Sequence, residues 1–285
     1  MKFAGIIAEY DPFHNGHAWQ LAQAKALGAE RVAVAMSCSL VQRGALPLLP
    51  EAVRTRSALT CGADLVFALP APCACAGAEA FARAGVALLA AAGCDGLVFG
   101  AETPDAALLM EAAELLDSGS YRAALKAQLA GGARSFAAAR QAAAAKLASD
   151  ERVAALLDKP NNNLAVEYCR AIRSLAPRME AYPLPRQGAN HGEALHSAHG
   201  QFASASALRK LWAEGGADAV APYVPEAVFP LYQEAYAAGQ YTDFSAAGRC
   251  ELALLRSACR GKAPFADIRG VSEGLEHRLE AAVRT

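Results

Sequence analysis

The stretch EYDPFHNGH, Glu9 to His17, sets two histidines three residues apart with a glycine between them and acidic residues just upstream. It follows a short apolar run, FAGIIA, and Pro12 with Asn15-Gly16 reads as a turn, so a helix is expected to start near Gly16 or His17. At a helix N-terminus the leading N–H groups lack partners and the dipole is positive, which favours an anion. His14 and His17 fall on one side of such a turn and can donate to one phosphate chain, while Gly16 lets the backbone approach it. Two other readings stay open: HxxH can be half of a zinc site, and histidines at this spacing also arise without function. Neither a Walker A sequence nor GxGxxG is present to supply a rival phosphate cradle.

Other residues could complete a nucleotide site. VFGAE puts Gly100 at the end of a strand, where a base or ribose can lie against backbone. KPNNN offers Asn161 and Asn162 as helix caps or as amide donors to a nucleotide. PLPRQ places Arg186 and Gln187 just after a late strand, and SASALR places Ser204, Ser206 and Arg209 at another helix N-terminus, suited to a second clamp on phosphates. Together they describe an ATP site built from the ends of strands.

The elements that must carry these residues alternate. FAGIIAE, RVAVAMS, ADLVFALP and CDGLVFG are near-continuous apolar runs, as strands covered on both faces are. Between them lie helical segments: about His17 to Leu27, PEAVRTRSALTCG, and GAEAFARAGVALLAAAG ending at Gly93. This order predicts an α/β fold, a doubly wound parallel sheet with ligands bound at the carboxyl ends of its strands. An alanine-rich helical region runs from about 103 to 175, with breaks at SGS, GG and KPNNN; RMEAYPLPR reads as a further strand and GANHGEALHSAHGQF as a polar loop.

Composition narrows the partners. With 54% apolar residues the chain can bury a core, and 27 Lys plus Arg against 28 Asp plus Glu leave a net charge of -1, no footprint for non-specific nucleic-acid binding and no DNA partner. The eight cysteines are scattered without a CxxC pair, and reduced, buried thiols are expected rather than disulfides or a metal site. No apolar stretch approaches the roughly 20 residues of a spanning helix, and acidic residues follow the first apolar run too soon for a signal peptide, so a cytoplasmic protein with no membrane partner is expected.

The motifs EYDPFHNGH, SCSLVQRG, RTRSAL, FALP, VFGAE, KPNNNLAVEY, FASASALRK and GVSEGLEHR, in this order, resemble those of the bacterial tRNA(Met) cytidine acetate ligase family. The resemblance implies an HxGH nucleotidyltransferase-like enzyme of the Rossmann type, with an additional helical region. It would make acetyl-adenylate from ATP and acetate, with Mg²⁺, and then acetylate N4 of the wobble cytidine of elongator tRNA(Met). It assigns nucleotide contacts to Ile7, Ala8, Glu9, Tyr10, Asp11, Pro12, Phe13, His14, Asn15, Gly16, His17, Ala18, Trp19 and Gln20, to Gly100, to an asparagine of the Asn161-Asn162 pair and to Arg186; the reading of the residues adds Gln187 and Ser206. His14, His17 and Arg209 are the expected catalytic residues. Gln42 and Arg43 are candidates for the acetate or tRNA side, or else solvated loop residues. If the tRNA surface lies in this chain, the arginines at 43, 54, 56, 209 and 249 are its candidates.

The sequence departs from the family pattern at Cys38 and Leu40, which stand at glycine and aromatic positions, and at Gln20, where a histidine is common. Cys38 is expected to crowd a backbone that should approach the ligand. The expected organisation is a nucleotidyltransferase-like domain over 1–215, with the helical insertion at about 103–175, and a helical C-terminal region over 216–285, shortened relative to the family. Two alternatives accompany this reading: another HxGH nucleotidyltransferase acting on a small phosphorylated metabolite, and a relative that binds nucleotide or RNA without turnover.

Overall fold

Each apolar run singled out above becomes a strand of one sheet: β1 (Phe3–Ala8), β2 (Arg31–Ser37), β3 (Leu65–Leu69), β4 (Gly96–Ala101) and β5 (Glu180–Pro185). The computed structural model describes residues 1–132, 135–185 and 202–259, Phe265, Ile268, Val271 and residues 274–284. The strand order is β3-β2-β1-β4-β5 and every pairing is parallel, so the expected α/β architecture forms. On β2, Val32, Val34 and Met36 enter one core and Ala33 and Ala35 the opposite one. Burial on both faces is why central strands such as β2 and β4 show no polar alternation.

Helices α1 (Asn15–Ala26), α2 (Glu51–Thr60), α3 (Ala71–Ala74) and α4 (Ala78–Ala91) connect the first four strands. Helix α4 ends where Gly93, at φ 89°, takes the left-handed turn that a side chain disfavours, and the chain drops directly into β4. Five helices fill the span between β4 and β5: α5 (Ala106–Asp117), α6 (Gly119–Ala130), α7 (Phe136–Leu147), α8 (Glu151–Leu156) and α9 (Pro160–Leu175). The first four start behind Asp105, Ser118, Ser135 and Asp150, whose side chains accept from first-turn N–H groups. At KPNNN the structure differs from the expected break. Proline suits a first helical turn, so α9 starts at Pro160 and the asparagines sit inside its first turn.

After β5 the first unit continues with α10 (Ala205–Val220), a 3₁₀ turn at Ala221–Tyr223 and α11 (Phe229–Ala237). The described chain forms two compact units, Met1–Gln240 and Tyr241–Thr285. The boundary expected at 215–216 lies inside α10, at the kink residue Gly216 (φ 67°). The second unit contains α12 (Phe244–Ala258), capped by Asp243, and α13 (Leu275–Arg284), linked by a hydrogen bond of 3.1 Å from Arg256 Nε to the Val283 carbonyl. All eight cysteines are unpaired; Cys38, Cys94 and Cys169 are buried as expected, whereas Cys250 is exposed. Among the described residues no helix is long and apolar enough to cross a membrane.

The sheet is closed at one edge and open at the other. At the amino edge the Asp95 carboxylate accepts from Lys2 N at 2.8 Å and Phe3 N at 2.9 Å, pinning β1 to β4. The β1–β4 ladder then holds only Ala4 opposite Gly96 and Gly5 opposite Leu97, while β1 pairs with β2 along its whole length. Beyond Gly5 the two central strands separate. That gap is the point where strand order reverses, the place where sheets of this class bind ligands.

Candidate active site

Both histidines of EYDPFHNGH stand at the start of α1, and the helix begins at Asn15 because His14 itself caps it. His14 Nδ1 accepts from Gly16 N at 3.0 Å, and His17 Nδ1 accepts from His14 N at 3.3 Å, a reciprocal capping box made of two imidazoles. An Nδ1 that accepts a hydrogen bond carries no proton, so in each neutral ring the proton resides on Nε2. The rings stack with centroids 3.8 Å apart and planes 21° from parallel. Gly16 is needed here: a Cβ at this position would lie 2.8 Å from His14 Cε1 and 3.0 Å from its Nδ1. Tyr10 and Phe13 support the pair from below, with Tyr10 edge-on to His17 at 4.8 Å and Phe13 at 5.6 Å. Phe13 is held in turn by Tyr232, whose hydroxyl donates to its carbonyl at 2.6 Å.

The turn before α1 is tied down on all sides. Ile7 and Ala8 end β1, half-buried, and Tyr10 follows at φ 50°, a left-handed conformation that a non-glycine residue adopts only when its surroundings hold it. Pro12 follows a cis peptide and is buried. The Glu9 carboxylate accepts from Gln42 N and the Asp11 carboxylate from Leu48 N, both at 2.6 Å, so two acidic side chains latch the β2–α2 loop to this turn. Burial raises the Glu9 carboxyl above its ordinary value against the pull of the Gln42 N–H; burial likewise raises Asp11 against the Leu48 N–H, Arg209 and Arg54. Arg209 Nη1 reaches across from α10 to Asp11, 2.7 Å from its carbonyl and 3.1 Å from its carboxylate. Sequence alone expected a phosphate clamp at Arg209; its hydrogen bonds here go to Asp11. Ser206, expected beside the phosphates, shares a hydrogen bond of 3.1 Å with the N-cap Ser204.

Along α1, Asn15 Nδ2 donates to the Pro222 carbonyl at 3.4 Å, and Ala18 and Trp19 pack half-buried against the core beneath. Gln20 Nε2 donates to the Val98 carbonyl at 3.2 Å, supplying from α1 a bond that β1 no longer makes to β4. That gives the departure at Gln20 a positive role in holding the gap. On the far side of the gap Gly100 is exposed at the end of β4. Two residues on, Glu102 accepts from Asn161 N at 3.2 Å, from Asn161 Nδ2 at 2.6 Å and from Asn162 N at 2.7 Å. The N-cap Lys159 offers no side-chain bond, so Glu102 caps α9 from outside the helix. Capping by the asparagine side chains, one of the two roles expected of them, is therefore corrected: their backbone N–H groups are the ones capped. Burial works against the Glu102 carboxylate, yet the hydrogen bonds from Asn161 and Asn162 hold it below its ordinary 4.5. Arg186 and Gln187 lie outside the described residues.

Two contributors escaped sequence reading although their motifs were visible. Arg54, in RTRSAL, is fully buried. Its Nε donates to Leu49 O at 3.0 Å, its Nη1 to Glu9 O and Ser37 O at 2.7 Å each, and its Nη2 to Cys38 O. One guanidinium thus binds the ends of β1 and β2 and the loop after β2, and Arg54 cannot belong to an RNA-facing surface. Arg43, Arg56 and Arg249 are exposed, Arg56 near Glu234 at 3.6 Å and Arg249 bonded to Ser245. Glu102, in VFGAE, is the second. Cys38 has no left-handed backbone, since Tyr10 is the only non-glycine residue with positive φ among those described, and its thiol points to Met36 O at 3.4 Å. Burial, with Glu51 close by, raises that thiol above its ordinary value, the reverse of a nucleophilic cysteine.

Among the described residues no group of three or more His, Cys, Asp or Glu side chains could hold a metal ion. Glu9 and Asp11 each accept a backbone N–H group. Mg²⁺ in such sites is carried largely by substrate phosphates.

Comparison with known proteins agrees with this geometry. The model of the HIGH nucleotidyl transferase family matches residues 1–285. The tRNA(Met) cytidine acetate ligase of Syntrophotalea carbinolica is 37% identical, over all of this chain and 67% of its own length. That of Caldanaerobacter subterraneus subsp. tengcongensis is 34% identical, over 99% of this chain and 70% of its own. The crystal structure of apo TmcAL from Thermotoga maritima superposes with a TM-score of 0.89 at 30% identity, over the whole of this chain and 68% of that one. The form bound with alpha-thio ATP gives 0.87, covering 67% of that chain. The chain therefore spans about two thirds of the length of these relatives, and on sequence and structure together it belongs to the HIGH nucleotidyl transferase family, among the tRNA(Met) cytidine acetate ligases.

Proposed function

We propose that this protein activates acetate with ATP and transfers the acetyl group to N4 of the wobble cytidine of elongator tRNA(Met). The observation that carries the reading is the stacked His14–His17 pair capping α1 at the mouth of the gap between β1 and β4. An acetate oxygen attacks the α-phosphorus of ATP, a P–O bond forms, the bond to the β-phosphate bridging oxygen breaks, and pyrophosphate leaves. The cytidine N4 amine then attacks the acetyl carbonyl, AMP leaves with the bonding pair, and the amine proton passes to solvent.

The protein's part is positioning and charge neutralisation. His14 and His17, with Nε2–H groups on stacked rings, donate to the phosphates as negative charge moves onto the leaving group. The α1 backbone N–H groups now bonded to imidazole face the same anion. Arg209 orders the turn through Asp11 and supplies positive charge beside it. Ile7 to Gln20, Gly100 and Asn161 form the nucleotide's surroundings, and Mg²⁺ arrives with ATP. Gln42 and Arg43, on the latched loop, are the residues offered to acetate or tRNA. A cytoplasmic location follows from the tRNA substrate.

The names of the relatives favour this reading over a transferase acting on a small phosphorylated metabolite. Exchange of labelled pyrophosphate into ATP tests it: exchange that depends on acetate is expected, and exchange that is absent, or that needs a phosphorylated metabolite instead, overturns it.

A further inference from the structure

The contacts around Glu102 decide which end of the Asn161 amide is available. A carboxylate has acceptors only, so the –NH₂ of Asn161 must face it, and it does, at 2.6 Å. Turning the amide over would set Oδ1 against Glu102 Oε1, two acceptors in contact. The neighbouring Asn162 is locked in the same way: its Oδ1 accepts from Thr103 N at 2.9 Å, its Nδ2 donates to Thr103 Oγ1 at 3.2 Å, and it is buried. The first turn of α9 is thus registered on residues 102 and 103, just beyond the exposed Gly100. Glu102 takes one of the two Nδ2 hydrogens and fixes the amide's orientation, and the carbonyl oxygen of the half-buried Asn161 has no hydrogen bond among the described residues.

We propose that Glu102 is a positioning residue that makes Asn161 a hydrogen-bond acceptor and so selects a nucleoside offering a donor at that point. The sequence left Asn161 open as an amide donor to the nucleotide; the Glu102 contact instead fixes the place of its acceptor oxygen. The inference rests on the assignment of Asn161 to the nucleotide. Two donors of a nucleoside fit, the exocyclic 6-amino group of adenine and a ribose hydroxyl. A carboxylate held ionised by three hydrogen bonds is what makes the lock one-way. A glutamine in its place presents either an oxygen or an –NH₂ to Asn161 and allows both amide orientations.

The test measures dissociation constants of ATP, ITP, 2′-deoxyATP and 3′-deoxyATP for the whole chain and for Glu102→Gln, with melting curves to confirm folding. The wild type should bind the analogue lacking the matching donor at least about tenfold more weakly than ATP. ITP identifies the amino group, and a deoxy form identifies the hydroxyl. In Glu102→Gln that ratio should fall several-fold, while the ratios for the other analogues stay as they were. A role confined to capping α9 would weaken all four nucleotides together and keep every ratio; that result overturns the inference. Equal binding of all four by the wild type overturns it too, leaving the proposed function standing, whereas no binding of ATP overturns the proposed function and the inference with it. Should Glu102→Gln melt early, Glu102→Asp, which keeps the charge, must retain the wild-type ratio if the inference holds.

Discussion

Helices α1 and α9 both begin beside the gap at the carboxyl edge of the sheet, yet their N-termini are finished in opposite ways. Over α9 stands the Glu102 carboxylate, a full negative charge bonded to two backbone N–H groups. Over α1 stand two imidazoles, each accepting through a neutral Nδ1. A helix already served by a carboxylate repels a second anion, whereas the imidazole caps of α1 place no carboxylate on its first N–H groups. Of these two helix starts, α1 is the one proposed to receive a phosphate, and α9 is proposed to position side chains.

The sharpest way to break this contrast is to remove the rings. His14→Ala or His17→Ala should lower acetate-dependent ATP–pyrophosphate exchange by about a hundredfold or more, as loss of a preorganised donor does. The fold should lose only about 1 kcal/mol of cap. Near-normal exchange in either variant would remove the histidines from the reaction.

A subtler change leaves the rings in place and displaces one of them. Gly16→Ala puts a methyl 2.8 Å from His14 Cε1, so the ring must swing off its cap. Exchange should fall by roughly ten- to a hundredfold, the scale of a catalytic group moved by about an ångström. An unaffected rate would mean that the capping geometry is not the reactive one.

At α9 the consequence is for stability and its pH dependence. Because the folded Glu102 carboxyl lies below its ordinary 4.5, its contribution is complete above that pH and is lost as pH falls through the depressed value. Melting curves of the wild type and Glu102→Gln should differ most at neutral pH and converge on acidification below 4.5. Asp64 and Asp95 are depressed as well, so the difference between the two proteins, rather than the wild-type curve, isolates Glu102. A gap between the curves that is constant down to the most acid pH would contradict the capping role. The smallest effect is expected at Cys38→Gly, which lies at neither helix start: ATP affinity should hold, with about 0.5–1 kcal/mol lost to backbone entropy. Abolished exchange with binding intact would instead reveal a covalent thiol route.

The sequence by itself determined the strands, their alternation with helices and the placing of the histidine turn after β1. These follow from local chemistry: apolar runs that must be buried on both faces, and turn residues such as Pro12 and Gly16 that act on their immediate neighbours. The helical character of the insertion was legible too, but not its full division: the breaks read at SGS, GG and KPNNN leave out the one that Asp150 caps. The tertiary structure decided the rest. That Arg54 ties strand ends instead of facing RNA, that Arg209 reaches Asp11, and that Glu102 turns the Asn161 amide all depend on bonds between residues far apart in the chain. Arg54 and Glu9 are separated by 45 positions, Asn161 and Glu102 by 59, Arg209 and Asp11 by 198. Periodicity and capping rules carry no information over such distances, because the partner of a polar group is set by which strand ends and helix starts the folded sheet brings together.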